Sequence, residues 1–309
     1  MIAEYGIIPD VFDPTGYSSH EVCDLRLSQL KDCLLGRGVV RNFRNGEWWR
    51  CVEDQRDRWH NRAKELLKKL KQQGRLRETA ACLPDAPKDG REWCLEAMAS
   101  HKTEPLQGII ADDVTASAHV DKTIVSAISR LGQAAWWQRD SCSVELRRDA
   151  AEYLKMLAPV LRHSNSLMFI DPHLDPSEKR YQNVVQLLQA CGSGNFKPQI
   201  EIHRVCYAGS GPSRRILSEV DLKRMFAGPV QQAVVQRGLR AEVFIWDDFH
   251  DRFLISNLLG IMLPNGFDVE TGPATVTRWA RLDQKDRDNV QREFDPAAGQ
   301  HQPRYRFKI

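Results

Sequence analysis

The stretch from Phe244 to Asp268 holds the residues whose types and spacing could do chemistry. An apolar run through Phe244, Ile245 and Trp246 ends in Asp247 and Asp248, and His250 and Arg252 then stand two apart at the head of a second run, Phe253-Leu-Ile. In a strand that spacing sends both side chains to one face. Asp248 and Asp251 either orient His250 or cap the turn. A second imidazole, His173 in Asp171-Pro172-His173, follows the apolar run Leu167-Met-Phe-Ile.

Both histidines need strands that end at a common edge. Leu167–Asp171, Gln199–Val205 and Ala241–Trp246 are short runs of strand character. Between them lie a helix opening at Asp175-Pro-Ser-Glu178, with Tyr181, Val184, Val185 and Leu188 on one side, and a helical segment from Ile216 to Gly238 broken at Gly228-Pro229. Strands alternating with helices imply parallel pairing, and open α/β sheets hold ligands beyond the carboxyl ends of their strands. The tail, Arg304-Tyr-Arg-Phe-Lys-Ile, alternates basic and apolar residues and reads as an edge strand or a nucleic-acid contact.

The first half reads differently. Residues 1–18, with Pro9, Pro14 and Gly16, suggest an irregular arm; Ser19–Leu35 has helical periodicity. Gly38–Val52, with two β-prone runs around Asn45-Gly46, has the signature of a hairpin. Trp59, Ala63, Leu66, Leu67 and Leu70 form one stripe of a helix that Gly74 stops. Further helices are expected over Arg91–Ser100, Val120–Trp137 and Ser143–Arg162, with one strand at Gly108–Asp113. The expected architecture is α/β: a mainly helical region with a small hairpin over 1–150, then an α/β domain over 151–309 with a mixed, mainly parallel sheet.

Other candidates carry less chemistry. Gly209-Ser-Gly-Pro-Ser, entering a helix beside Arg214 and Arg215, either cradles a phosphate at a helix N-terminus or is a surface turn. Asp112 and Asp113 lack a third ligand at recognisable spacing for a metal. Trp48-Trp49 and Trp136-Trp137 either stack on bases or pack in the core. Nine Lys or Arg stand against two acids from Arg56 to Arg77, a bias that suits phosphates or a solvated helix face.

The 309 residues fit two domains. Hydrophobic residues at 42% and charged ones at 28% exclude wholesale disorder, and a net charge of +3 does not by itself define a partner. The eight cysteines are scattered without a CxxC pair, which points to reduced thiols rather than metal ligands. No apolar run is long enough to span a bilayer and no signal segment opens the chain, so a cytoplasmic protein is expected.

The pattern His250-x-Arg252-x4-Asn257, followed by Gly260 and Gly266-Phe-Asp268, resembles the His-x-Lys-x4-Asp motif of the phospholipase D superfamily. It is most similar to the phospholipase-D-like domain at the C-terminus of microtubule-interacting-and-transport proteins and to bacterial relatives. The resemblance covers roughly residues 160–275. It implies a metal-independent phosphodiesterase with no cofactor, a nuclease acting on DNA or RNA. His250 would be the nucleophile, Arg252 and Asn257 would hold phosphate, and Arg214, Arg215 and Asp251 would line the substrate path. Asn257 replaces the Asp, Arg252 replaces the Lys, and the chain has one such motif. A two-histidine site then draws its second imidazole from a homodimer partner or from His173. By family analogy such proteins accompany protein partners in multi-gene antiviral defence systems. The alternative is a non-catalytic module of the same fold that binds nucleic acid or a protein, as in the eukaryotic domains.

Overall fold

A computed structural model describes residues 2–138, 142–192, 197–209, 211–269 and 275–309. The chain divides into two compact units between Asp140 and Ser141. Among the described residues no helix is long and apolar enough to cross a membrane.

The first unit runs β1 (Ala3–Ile7), α1 (His20–Arg37), β2 (Gly38–Asn42), α2 (Phe43–Asp54), α3 (Asn61–Gln72), β3 (Leu76–Glu78), α4 (Gly90–Thr103), β4 (Gly108–Ala111), α5 (Asp113–Ser117), β5 (Val125–Ala127) and α6 (Ala135–Gln138). Its five strands are all parallel, in the order β3-β2-β1-β4-β5. This corrects the expectation of a helical region with a hairpin. The supposed arm supplies the central strand, because Tyr5 and Ile7 bury between β2 and β4. The Asn45-Gly46 signal for positive φ is real but serves another turn: Arg44, Asn45 and Gly46, at φ 56°, 51° and 89°, carry β2 into α2. Residues 120–137 form β5 and two short helical pieces instead of one helix. Helices form at 20–37 and 61–72 as the periodicity expects, but Val22 and Leu25 of the first are exposed and Trp59 precedes the second; Ser19 caps the first through the Val22 N–H, and Ala63, Leu66, Leu67 and Leu70 are the buried stripe of the second.

The second unit contains β6 (Ser143–Arg147), α7 (Ala150–His163), β7 (Ser166–Ile170), α8 (Asn183–Gln189), β8 (Gln199–Val205), β9 (Tyr207–Ala208), β10 (Arg215–Ile216), α9 (Glu219–Phe226), α10 (Pro229–Gln236), β11 (Arg240–Trp246), β12 (Phe253–Ser256), β13 (Gly260–Met262), β14 (Val276–Arg281), α11 (Gln284–Glu293) and β15 (Pro303–Lys308). Eight strands form one mixed sheet, ordered β15-β11-β8-β7-β12-β13-β14-β6. The parallel trio β7, β8 and β11 is its centre, with β12 antiparallel to β7 and β15 antiparallel to β11. The expected single helix over 143–162 is a strand followed by a helix: Ser143–Arg147 pairs with β14, and Asp149 caps α7 through the Glu152 N–H. The boundary therefore falls ahead of β6, not at 150.

Burial explains the central trio. One face presents Leu167, Phe169, Ile200, Ile202, Val243 and Ile245, all buried, where α10 packs on β11 and α8, and α8 on α7. The other face carries His203, Phe244 and Trp246 in a stacked row capped by Phe294, which follows α11.

Candidate active site

At the carboxyl edge of β7 the chain must leave the sheet, and Asp171 makes the exit. It is fully buried. Its Oδ1 accepts the His173 N–H at 3.0 Å, its Oδ2 accepts the Phe267 N–H at 3.0 Å, and Tyr181 Oη approaches Oδ1 at 3.5 Å. Arg252 Nε stands 3.7 Å from Oδ1. Burial pushes this carboxyl up to about 6, against the lowering effect of its two backbone donors and Arg252. Gly266, at φ 69°, lets the loop after β13 close on it: a Cβ there would sit 2.0 Å from Asp171 Oδ2.

His250 and Arg252 lie in the loop between β11 and β12, not on one strand face as their spacing suggests; the strand begins at Phe253, opposite Ile170. His250 is exposed. Arg252 is partly buried, and its Nη1 donates to the carbonyls of His250 at 3.3 Å and Pro264 at 3.4 Å. His173 is half-buried, its ring edge-on to Tyr207 with centroids 6.2 Å apart. Burial first, then the charges of Arg252, Arg204, Arg180 and His250, hold the His173 imidazole below the usual histidine range. The two histidines thus share one edge and one field. Among the described residues neither ring makes a hydrogen bond.

Asn257 is not part of this group. It follows the far end of β12, about 17 Å from Arg252 at strand rise, where its Oδ1 accepts the Asn165 N–H at 2.7 Å. The x4 spacing is consumed by a four-residue strand that crosses the sheet from one edge to the other.

Arg214 and Arg215 do not stand at a helix N-terminus. The glycine loop joins the two-stranded ribbon β9–β10, and α9 begins later, capped by Ser218 through the Asp221 N–H. Arg214 does reach the site. Its guanidinium lies 3.6 Å above the Tyr207 ring and 3.5 Å from Asp248, while Tyr207 Oη donates to Asp248. That hydrogen bond, with Arg214 and His250 nearby, holds Asp248 below the usual carboxylate range. Arg215 and Asp251 are exposed.

Sequence reasoning left out Asp171, Tyr207, Arg180 and Arg204 as site residues. Arg204 is buried and ties the edge together, donating to the carbonyls of Val205, Leu174 and Tyr207 at 3.0, 3.3 and 3.0 Å. An acid directly after an apolar strand was the available signal for Asp171; Arg204, inside a strand, offered none.

Asp112 caps α5 through the N–H groups of Val114 and Thr115, and Asp113 accepts from Ser129 Oγ. Among the described residues no group of three or more His, Cys, Asp or Glu side chains converges as a metal site. Trp48 is buried and donates to the Ile7 carbonyl, and Trp136 and Trp137 pack on Tyr5. A concavity of about 700 Å³ in the second unit lies on the sheet face beside α11, lined by Gln199, Glu201 and Arg306, and does not include either site histidine.

No family model and no curated protein matches the sequence. Among solved structures the chain is similar to TrmBL2, an archaeal chromatin protein whose structure shows a novel mode of DNA binding. The identity is 11%, covering 79% of this chain and 82% of that one, at a TM-score of 0.31. A likeness at that level carries no argument about function.

Proposed function

We propose that the second unit is a phospholipase-D-like phosphodiesterase that cleaves nucleic acid with the His173–His250 pair. The observation that supports this is the placement of His173 and His250 on loops at the sheet edge that carries Arg252, near enough for the charge of His250 to act on His173, with neither ring hydrogen-bonded among the described residues. Within one chain the pair makes a partner subunit's histidine unnecessary.

The electrostatics favour reversing the roles expected from the motif. A depressed pKa keeps His173 uncharged, the form that attacks. Its ring nitrogen forms a bond to phosphorus as the phosphorus–oxygen bond to the leaving group breaks. The leaving oxygen takes a proton from His250, which faces Asp248. Water then adds to phosphorus, gives a proton to His250, and the nitrogen–phosphorus bond breaks. The products are a phosphomonoester and an alcohol.

The test uses end-labelled single-stranded DNA, duplex DNA and RNA in the presence of EDTA, with alkaline quenching and peptide mapping. The expected result is cleavage by the wild type and a loss of about 10²- to 10⁴-fold in His250→Gln, the range for a lost general acid. A p-nitrophenyl phosphodiester, whose leaving group needs no proton, should still phosphorylate His173 in that variant. Phosphate on His250 would reverse the roles. Equal cleavage by the wild type and a His173→Gln/His250→Gln double variant would end the enzyme reading.

One observation favours a non-catalytic binding module: the Arg252 guanidinium is engaged by two carbonyls and Asp171, as a brace between loops would be. Binding of oligonucleotide or protein without cleavage by the wild type is that reading's outcome.

A further inference from the structure

Helix α3 divides its charge between two sides. On one, Glu65 meets Lys31 at 3.3 Å, Lys69 at 3.1 Å and Arg62 at 3.3 Å, and Arg62 meets Asp24 at 2.9 Å. On the other, Lys64, Lys68 and Lys71 recur at i, i+4 and i+7, and among the described residues none has a carboxylate partner. These three lysines line a groove of about 290 Å³ between α2 and α3. Trp49 and Arg56 stand in the opposite wall, and Lys71 Nζ lies 4.8 Å from the Trp49 ring centre. The acid in that wall, Glu53, is paired with Arg56 at 3.4 Å.

We propose that this groove binds single-stranded nucleic acid, with backbone phosphates on Lys64, Lys68 and Lys71 and a base against the half-buried Trp49. Three cations spaced about 6 and 4.5 Å along a helix axis, left without acids on a helix whose other two cations, Arg62 and Lys69, are paired, are suited to a polyanion. An aromatic ring beside them suits an unstacked base. A membrane surface is the poorer fit. Lipid binding by a helix face requires apolar side chains free to insert, and here Val52 and Leu67 are buried at 1% and 5% exposure. The groove lies wholly in the first unit and contains neither His173 nor His250, so this inference does not depend on the phosphodiesterase reading.

Fluorescence anisotropy of the full chain with labelled oligo-dT, titrated over a range of salt, tests it. The His173→Gln/His250→Gln variant is included so that cleavage does not intrude. A Lys64→Gln/Lys68→Gln/Lys71→Gln variant should lower the slope of log Kd against log salt by about 2, at ~0.7 per phosphate contact on single strands, and bind at least tenfold more weakly at low salt. Arg62→Gln/Lys69→Gln, on the paired side, should change neither. The proposal is overturned if the wild type does not bind, or if the two lysine-side and paired-side variants weaken binding equally. Binding to anionic vesicles or polyglutamate as tightly as to oligo-dT, with the same loss in the triple variant, overturns it as well.

Discussion

His173 owes its position to a carboxylate that takes no part in the proposed chemistry. Asp171 holds its backbone N–H, and burial, joined by the surrounding arginines, lowers its pKa. For a nucleophile that must be neutral, a lowered pKa moves the acid limb of kcat/KM below the ordinary histidine value, so activity persists into mildly acidic solution. Arg180 is one of those cations, with a side chain 49% exposed and paired with Glu178. Arg180→Gln should raise the His173 pKa and move that limb to higher pH by a few tenths of a unit, within the ordinary spread of such shifts. A pH profile of p-nitrophenyl phosphodiester cleavage reads this directly, and an unmoved limb would remove His173 from the rate equation. The histidines were visible in the sequence because each follows an apolar strand. Their supports were not, since Asp171, Tyr207 and Arg204 act through bonds to residues distant in the chain.

At the scale of elements, the loop after β13 is fastened to β7 through Gly266 and Phe267. Gly266→Ala adds a left-handed alanine, at about 1–2 kcal/mol, and drives a methyl into Asp171, an overpacking of about 1–3 kcal/mol. The expected loss is about 2–5 kcal/mol by chemical denaturation; a loss under about 1 kcal/mol would mean that the loop does not close on Asp171. Elements with a strong local signal were legible. The strands β7 and β11 carry apolar runs, β8 alternates Ile200 and Ile202 with polar residues, and α3 shows a clear stripe. Elements that depend on distant partners were misread. The strand β1 is short and followed by Pro9, and it becomes a strand because β2 and β4 flank it. The strand β6 alternates exposed and buried residues, and β14, far along the chain, provides its pairing. The Asn45-Gly46 pair marks positive φ correctly, but positive φ serves a strand-to-helix turn as readily as a hairpin.

At the scale of the molecule, each unit has its own sheet. The first has a continuous apolar core from Tyr5 to Leu131, and the second buries both faces of its parallel strands. A fragment spanning residues 141–309 should therefore unfold in one cooperative transition and keep the phosphodiesterase activity proposed for its histidine pair. Circular dichroism through a urea titration checks the first point, and p-nitrophenyl phosphodiester hydrolysis the second. A fragment without a cooperative transition would show that the second unit draws its stability from the first. The α/β class was legible in the alternation of strands and helices; the number of sheets was not, because short strands in the first half carry little periodicity of their own.

The strand β15 has a consequence for how the chain is made. It covers β11, whose Val243 and Ile245 belong to the apolar centre, yet it is synthesised well after β11. Until it arrives, β11 presents a row of unpaired backbone groups on an apolar strand, a template for pairing with a neighbouring chain. The strand that finally closes this edge begins with Pro303, and its Arg306 pairs with Glu242 while Lys308 is exposed. A proline and exposed charge are poor invitations to another strand, so β15 both completes the sheet and ends its growth. The interval between β11 and β15 is therefore a time during synthesis when this edge is open to self-association.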